Sequence, residues 1–297
     1  MHPTTRAILL KSAATLAFTT MYTLIKLAGD VAVGEIVFFR SAFSLIPLFL
    51  LSLFTIGPRA TMRTGKPRLH LVRSAAGLGS MLLTFLAVQL LPLAVVTVIG
   101  FLAPVFAVLL AAFVLREQVG PLRALAVAIS LAGIVFVFAE QDRLTFALNS
   151  GYGVGVVLAI VGALLSAFVV VFIREMTRRE RSETIVFYFM SVGTLAGALS
   201  MLWSHTALAW SQVLLLVASG LIGGLGQIAM TFSYKHAEAS LLAPLDYLAF
   251  VWASLLGFAF FGEVPGVPQI CGSAIIIIAG LLITLDQRRR VAAARGQ

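Results

Sequence analysis

Ala107-Val-Leu-Leu-Ala-Ala-Phe-Val-Leu-Arg-Glu117 lines up with Ala253-Ser-Leu-Leu-Gly-Phe-Ala-Phe-Phe-Gly-Glu263. Each stretch is an apolar run ending on a glutamate. Each is followed by a glycine close to a proline, Gly120 with Pro121 and Gly266 with Pro268. An apolar helix rich in Ile, Val, Ala and Gly comes next in both places. Earlier in each half, Glu35-Ile-Val-Phe-Phe lines up with Glu183-Thr-Ile-Val-Phe, with one insertion. Apolar helices resemble one another by composition alone. The shared Leu-Leu, Glu and Gly at nearly fixed spacing favour a duplication of about half the chain.

Composition sets the solvent. The chain has 297 residues, 60% hydrophobic and only 11% charged, with a mean hydropathy of +1.05. A soluble domain carries about 25% charged residues. This balance excludes a soluble enzyme, a disordered chain and a secreted disulfide scaffold. It predicts an all-α polytopic membrane protein. The single cysteine, Cys271, lies in an apolar run and can form no intrachain disulfide. The net charge of +9 is spread over short gaps between apolar runs. That is a topology signal and not a nucleic-acid footprint.

About 20 apolar residues cross the hydrocarbon core of a bilayer. Ten runs qualify: 7–28, 32–56, 69–91, 93–115, 122–139, 152–175, 184–203, 211–234, 241–261 and 268–285. The third and fourth are separated only around Leu91-Pro92. With the N-terminus in the cytoplasm, every lysine and arginine but Lys26, Arg40 and Arg143 falls on the cytoplasmic side, Lys11 and Arg73 included. This is a strong positive-inside bias. Both termini are then cytoplasmic in an inner, plasma membrane. The first run is a retained helix, since Lys11 interrupts any short signal core and no cleavage site is evident.

Five spans per half is an odd number, so the halves cross the membrane in opposite directions. Residues 7–139 and 152–285 are the expected repeats, with 286–297 a basic cytoplasmic tail. Inverted repeats are a frequent architecture of secondary transporters, with the substrate site near the bilayer midplane.

The chain resembles the EamA-type transporters of the drug/metabolite transporter superfamily. The resemblance covers about residues 7–285. It is sharpest from Leu91-Pro-Leu-Ala through Ala103-Pro104-Val-Phe to Leu115-Arg-Glu117, and in the counterpart from Ala239-Ser-Leu-Leu-Ala-Pro244 to Gly262-Glu263. It departs at Phe250, where the first half has Pro104. The resemblance implies a basket of helices around a central cavity, with helices five and ten at the periphery. It also brings to mind bacterial exporters of amino acids, aromatic ones included.

Ionisable groups at membrane depth mark candidate sites, because burying them is costly. Arg40 lies roughly 12 Å inside its helix. It is either a cavity cation for a carboxylate or another anion, or a structural group that pairs with Glu35 or caps helix carbonyls. Asp246, beside Pro244 and Tyr247, either binds a substrate ammonium or carries a coupling proton, or it is a structural acid near Lys235. Lys26, close to a helix end, is expected to snorkel. Gln89 and Gln227 either hydrogen-bond substrate or join helices. Tyr22, Tyr188, Tyr234 and Trp252 either sandwich an organic substrate or pack helices. Tyr22, Tyr247 and Trp252 join Arg40, Gln89, Gln227 and Asp246 as the expected substrate-binding set. Glu117 and Glu263 are expected to cap or tie helix ends. Pro104 and Pro244 are candidate hinges, with Pro47 a third in-span proline. Gly193/Gly197 and Gly220/Gly224 have the spacing of close helix approach.

No phosphate loop of the GxxxxGK[ST] kind is present, which argues against ATP-driven transport. The four histidines have no metal-ligand spacing, and no catalytic constellation or cofactor motif emerges. The expected function is secondary or facilitative transport of small metabolites, amino-acid export foremost, with proton coupling open. Carriage of S-adenosylmethionine, nucleotide sugars or drugs is the alternative. A non-transporting membrane subunit is the lesser one.

Overall fold

The computed structural model describes residues 3–103, 105–106, 110, 125, 128–129, 132–133, 151–176, 180–205, 207–236 and 242–295. The described residues are helical with short connections. They form α1 (Pro3–Leu27), α2 (Val33–Leu53), α3 (Pro58–Met62), α4 (Pro67–Leu90), α5 (Leu93–Gly100), α6 (Gly151–Met176), α7 (Ser182–Ser200), α8 (Trp210–His236), α9 (Leu248–Phe261) and α10 (Val267–Arg295). Six of these are long and apolar enough to cross a membrane: α1, α2, α4, α6, α7 and α8. The ninth and tenth expected spans contain shorter apolar helices, Leu245–Phe261 and Val267–Leu282. The fifth expected span, 122–139, lies mostly outside the described residues, as do Pro104, Glu117 and Arg143.

The helix ends follow local chemistry. Gly29 and Gly57 adopt φ of 71° and 80° and end the first two helices in tight turns. Leu91 is extended because it precedes Pro92, which separates α4 from α5 where the sequence predicts. Two departures are informative. The span expected over 241–261 begins as a tight 3₁₀ segment, Ala243–Tyr247, before α9 takes over. Pro244 sits in the first turn of that segment, where a missing N–H removes no helical bond. The basic tail expected from residue 286 continues α10 as helix to Arg295.

Among the described residues, the extensive helix contacts all join the first half to the second. α1 packs along α8 and α4 along α6; α2 packs on α8 and α4 on α7; α1 meets α9 and α5 meets α6; α2 meets α7 and α5 meets α9. Glycines set the closest approaches. A Cβ on Gly197 would stand 2.5 Å from the Phe38 nitrogen, and one on Gly220 would stand 2.5 Å from the Phe39 carbonyl oxygen. Gly193 faces Ser41, and Gly224 faces Ser44 and Pro47. Both glycine pairs therefore serve α2, which is held between α7 and α8. The outward faces carry Leu50, Leu214, Leu225, Leu255 and Ile278, all exposed. Such a surface is stable in hydrocarbon, where it needs no polar cover.

Candidate functional site

Arg40 sits on the stretch of α2 clamped by those glycines, and only 4% of it is exposed. Its Nη1 donates to Met190 Sδ at 2.8 Å, while its Nε has no partner. A thioether is a weak acceptor. The expected alternative, a Glu35 pair, is not what holds it: Glu35 is buried in the first turn of α2, and no ion pair links the two among the described residues. Tyr22 of α1 is an electrostatic neighbour of Arg40 and meets Phe85 edge-on at 6.1 Å.

Tyr22 also lines a cavity of about 170 Å³ between α1, α4, α5 and α6. Its wall is mostly apolar, with Thr19, Thr84, Thr97 and Ser166 as polar points. Three of these hydroxyls donate to the carbonyl one turn back on their own helix: Thr19 to Thr15, Thr84 to Ser80 and Thr97 to Leu93. The cavity thus offers ring and methyl surface with acceptor oxygens.

The other expected site residues are dispersed. Asp246 pairs with Lys11, Nζ to Oδ1 at 2.6 Å. Lys11 is thus not a solvated residue of the membrane surface, as its place in the basic count implied, but a buried one at 2% exposure. An ammonium out of water requires such a counter-charge. Lys26 does not snorkel either. Its Nζ donates to the Leu91 carbonyl at 2.8 Å and to Glu263 Oε1 at 2.5 Å. Glu263 also accepts from the Leu93 backbone N–H at 3.1 Å. It ties a helix end as expected, but it joins α1, α5 and α9 rather than one hairpin.

Gln89 donates to the Val31 carbonyl at 3.0 Å, joining α4 to the α1–α2 turn. Gln227 is buried on α8, one turn after Gly223 and on the same side. Tyr247 is not among the residues lining the cavity; it meets Phe101 edge-on at 4.9 Å and covers Gly280 of α10. The Trp252 indole N–H is buried without a partner. Tyr188 stacks on His70 at 4.5 Å and donates to the Met62 carbonyl, which fixes α3 against α7. The Tyr234 side chain lies outside the described residues.

One residue of the central region escapes the sequence reading. Arg73 of α4 is 3% exposed, and its guanidinium lies 3.6 Å from the centroid of the Phe189 ring. Arg40 approaches the same ring at 5.7 Å. The available signal was its position, a full turn inside the expected span 69–91. Its membership of a basic cluster concealed it.

The EamA-like transporter family model matches residues 5–139 and again 153–285. The pseudopaline exporter CntI of Pseudomonas aeruginosa strain UCBPP-PA14 is 30% identical over 287 residues, covering 95% of this chain and 96% of its own. The riboflavin transporter of Rhizobium johnstonii is 28% identical, covering 78% and 74%. The S-adenosylmethionine uptake transporter of Rickettsia prowazekii is 23% identical, covering 86% and 84%. A solved crystal structure superposes with a TM-score of 0.69 at 22% identity, covering 95% of this chain and 98% of that one, a likeness of fold. The chain is a multi-pass membrane protein that belongs to the EamA-like transporter family.

Proposed function

We propose that this protein is a secondary or facilitative transporter that exports amino acids or close derivatives across the bacterial inner membrane. Two five-helix repeats of opposite orientation, residues 7–139 and 152–285, would exchange conformations around the central cavity, with both termini cytoplasmic. The observation that carries the reading is Arg40: a guanidinium buried at mid-helix with a thioether as its hydrogen-bond acceptor, beside a tyrosine that lines the cavity. A substrate carboxylate matches its donor fork.

The helix pairing supports the repeat. α1 on α8 is the counterpart of α6 on α4, and α2 on α8 is the counterpart of α7 on α4. Glu35 and Glu183, aligned in sequence, both fall in the first turn of their helices. The relatives include both an exporter and an uptake transporter, which fits either direction of flux. Asp246, half-exposed beside buried Lys11, is the group best placed to couple a proton, since its protonation would release the lysine. Carriage of S-adenosylmethionine, nucleotide sugars or drug-like molecules is the second reading, motivated by the Rickettsia relative.

The test is uptake of labelled amino acids into proteoliposomes, wild type beside Arg40→Ala, with and without a proton gradient. Saturable uptake that falls at least about tenfold in the variant is expected, the loss of one charge-assisted hydrogen bond. Folded protein that moves no amino acid would remove the substrate assignment.

A further inference from the structure

We infer that Arg40 and Arg73 form one anion site, shared across the Phe189 ring, for a substrate bearing two negatively charged oxygen groups such as a dicarboxylate. This rests on the transporter reading above and narrows its substrate class. The two guanidinium groups arrive from different helices, α2 and α4, and converge on a ring supplied by a third, α7. Their separation cannot exceed the sum of their two distances to that ring.

Gly77 lets the ring and the Arg73 guanidinium come together. A Cβ on Gly77 would stand 2.9 Å from the Phe189 ring and 3.0 Å from Arg73 Nη1. Only glycine lets the ring and the guanidinium nest there. The donors are unspent: Arg73 Nε and Nη1 and Arg40 Nε are buried without partners. Among the described residues, no carboxylate lies within ion-pair distance of either arginine. The two positive charges act unfavourably on each other. Phe189 offsets part of that through its ring face, but a ring cannot satisfy N–H donors.

A purely structural role is a poor account of this arrangement. Buried like charges without an acid destabilise the protein that holds them. Retained guanidinium groups with idle forks fit a ligand that supplies the missing oxygens, bidentate to each. Tyr22, an electrostatic neighbour of Arg40, lines the cavity. A monocarboxylate would satisfy one arginine and leave the other unpaired. A substrate with two carboxylates satisfies both.

The test uses the full-length protein purified in detergent, with glutamate, succinate and citrate as probes against leucine and lysine. Thermal shift and equilibrium binding are read for wild type, Arg73→Gln, Arg73→Lys and Phe189→Leu. The expected result is saturable stabilisation by the dianionic probes. Arg73→Gln should weaken it about tenfold to a hundredfold, while Arg73→Lys weakens it less. The ligand-free melting temperature of Arg73→Gln should equal or exceed that of wild type, because a buried repulsion has been removed. A lower ligand-free melting temperature in Arg73→Gln, or dianions that bind no better than leucine, would overturn the inference. Proteoliposome flux separates the two readings. Leucine transport lost in Arg40→Ala but untouched in Arg73→Gln leaves the transporter and removes the dianion site. Arg73-dependent binding of dianions without flux of any probe does the reverse.

Discussion

Gly262 ends α9 in the left-handed region at φ 65°, and the next residue is aimed by that cap. The Gly262 N–H bonds the Phe258 carbonyl, the bond of an αL cap, and the Glu263 N–H bonds the Gly257 carbonyl, which turns the chain back over its own helix. Glu263 then reaches both Lys26 and the N-terminus of α5. A carboxylate there also meets the positive end of the helix dipole. Glu263→Gln is expected to destabilise the protein by about 1–3 kcal/mol, since a partly buried ammonium loses its counter-charge. Lys26→Met combined with Glu263→Gln should be less harmful than the two single effects added together, as befits contacting partners. Melting temperatures of the four proteins in one detergent check this. The glutamate was legible in sequence through its match to Glu117, but its partner was not, because Lys26 lies on a helix from the opposite half. The same holds for Asp246 and Lys11. The two lysines of α1 stand about 22 Å apart along the helix, and each is tied to the 3₁₀–α9 region at a different end.

α2 is the element on which the candidate site depends. It carries Arg40, and its neighbours approach it through Gly193, Gly197, Gly220 and Gly224. In a bilayer there is no hydrophobic drive between helices, so such close contacts provide much of the association. Ser44 adds a bond to the Gly220 carbonyl at 2.9 Å, across the tightest crossing. Gly197→Ala is expected to lower stability by about 1–3 kcal/mol, the usual consequence of overpacking. Gly100→Ala is the control: none of the described residues lies within 4 Å of the Cβ it would add, so stability should hold. Detergent melting curves for both variants decide the point. The glycine spacing announced close packing from sequence alone. That both pairs face one helix could not be read, because spacing names a helix face and not its neighbour. The start of the ninth span shows the complementary case. Pro244 announced an irregularity, and the local answer was a 3₁₀ turn rather than a bend inside a longer helix.

Among the described residues, the extensive helix contacts of the whole molecule run between the halves, and a buried cluster takes Val88, Leu91 and Ile99 from one half and Ala159, Ala163 and Ala253 from the other. A chain divided between residues 139 and 152 is therefore expected to yield two fragments that are degraded when expressed singly. Co-expressed, they should assemble and co-purify through a tag on either one. Recovery of a folded, monodisperse single half would contradict this arrangement. The first half also lacks the counter-charges of its own lysines: Lys11 pairs with Asp246, and Lys26 with Glu263.

The sequence by itself determined the solvent, the all-helical class, most of the span boundaries and the family. These depend on hydropathy summed over about 20 residues and on local turn chemistry at Gly29, Gly57 and Leu91-Pro92. It also singled out Arg40, because a charge in an apolar run is visible without any partner. Tertiary structure alone decided which charges are joined, which glycines meet which helix, and that Arg73 turns inward to the Phe189 ring instead of outward to the membrane surface. Those outcomes rest on contacts between helices far apart in the chain.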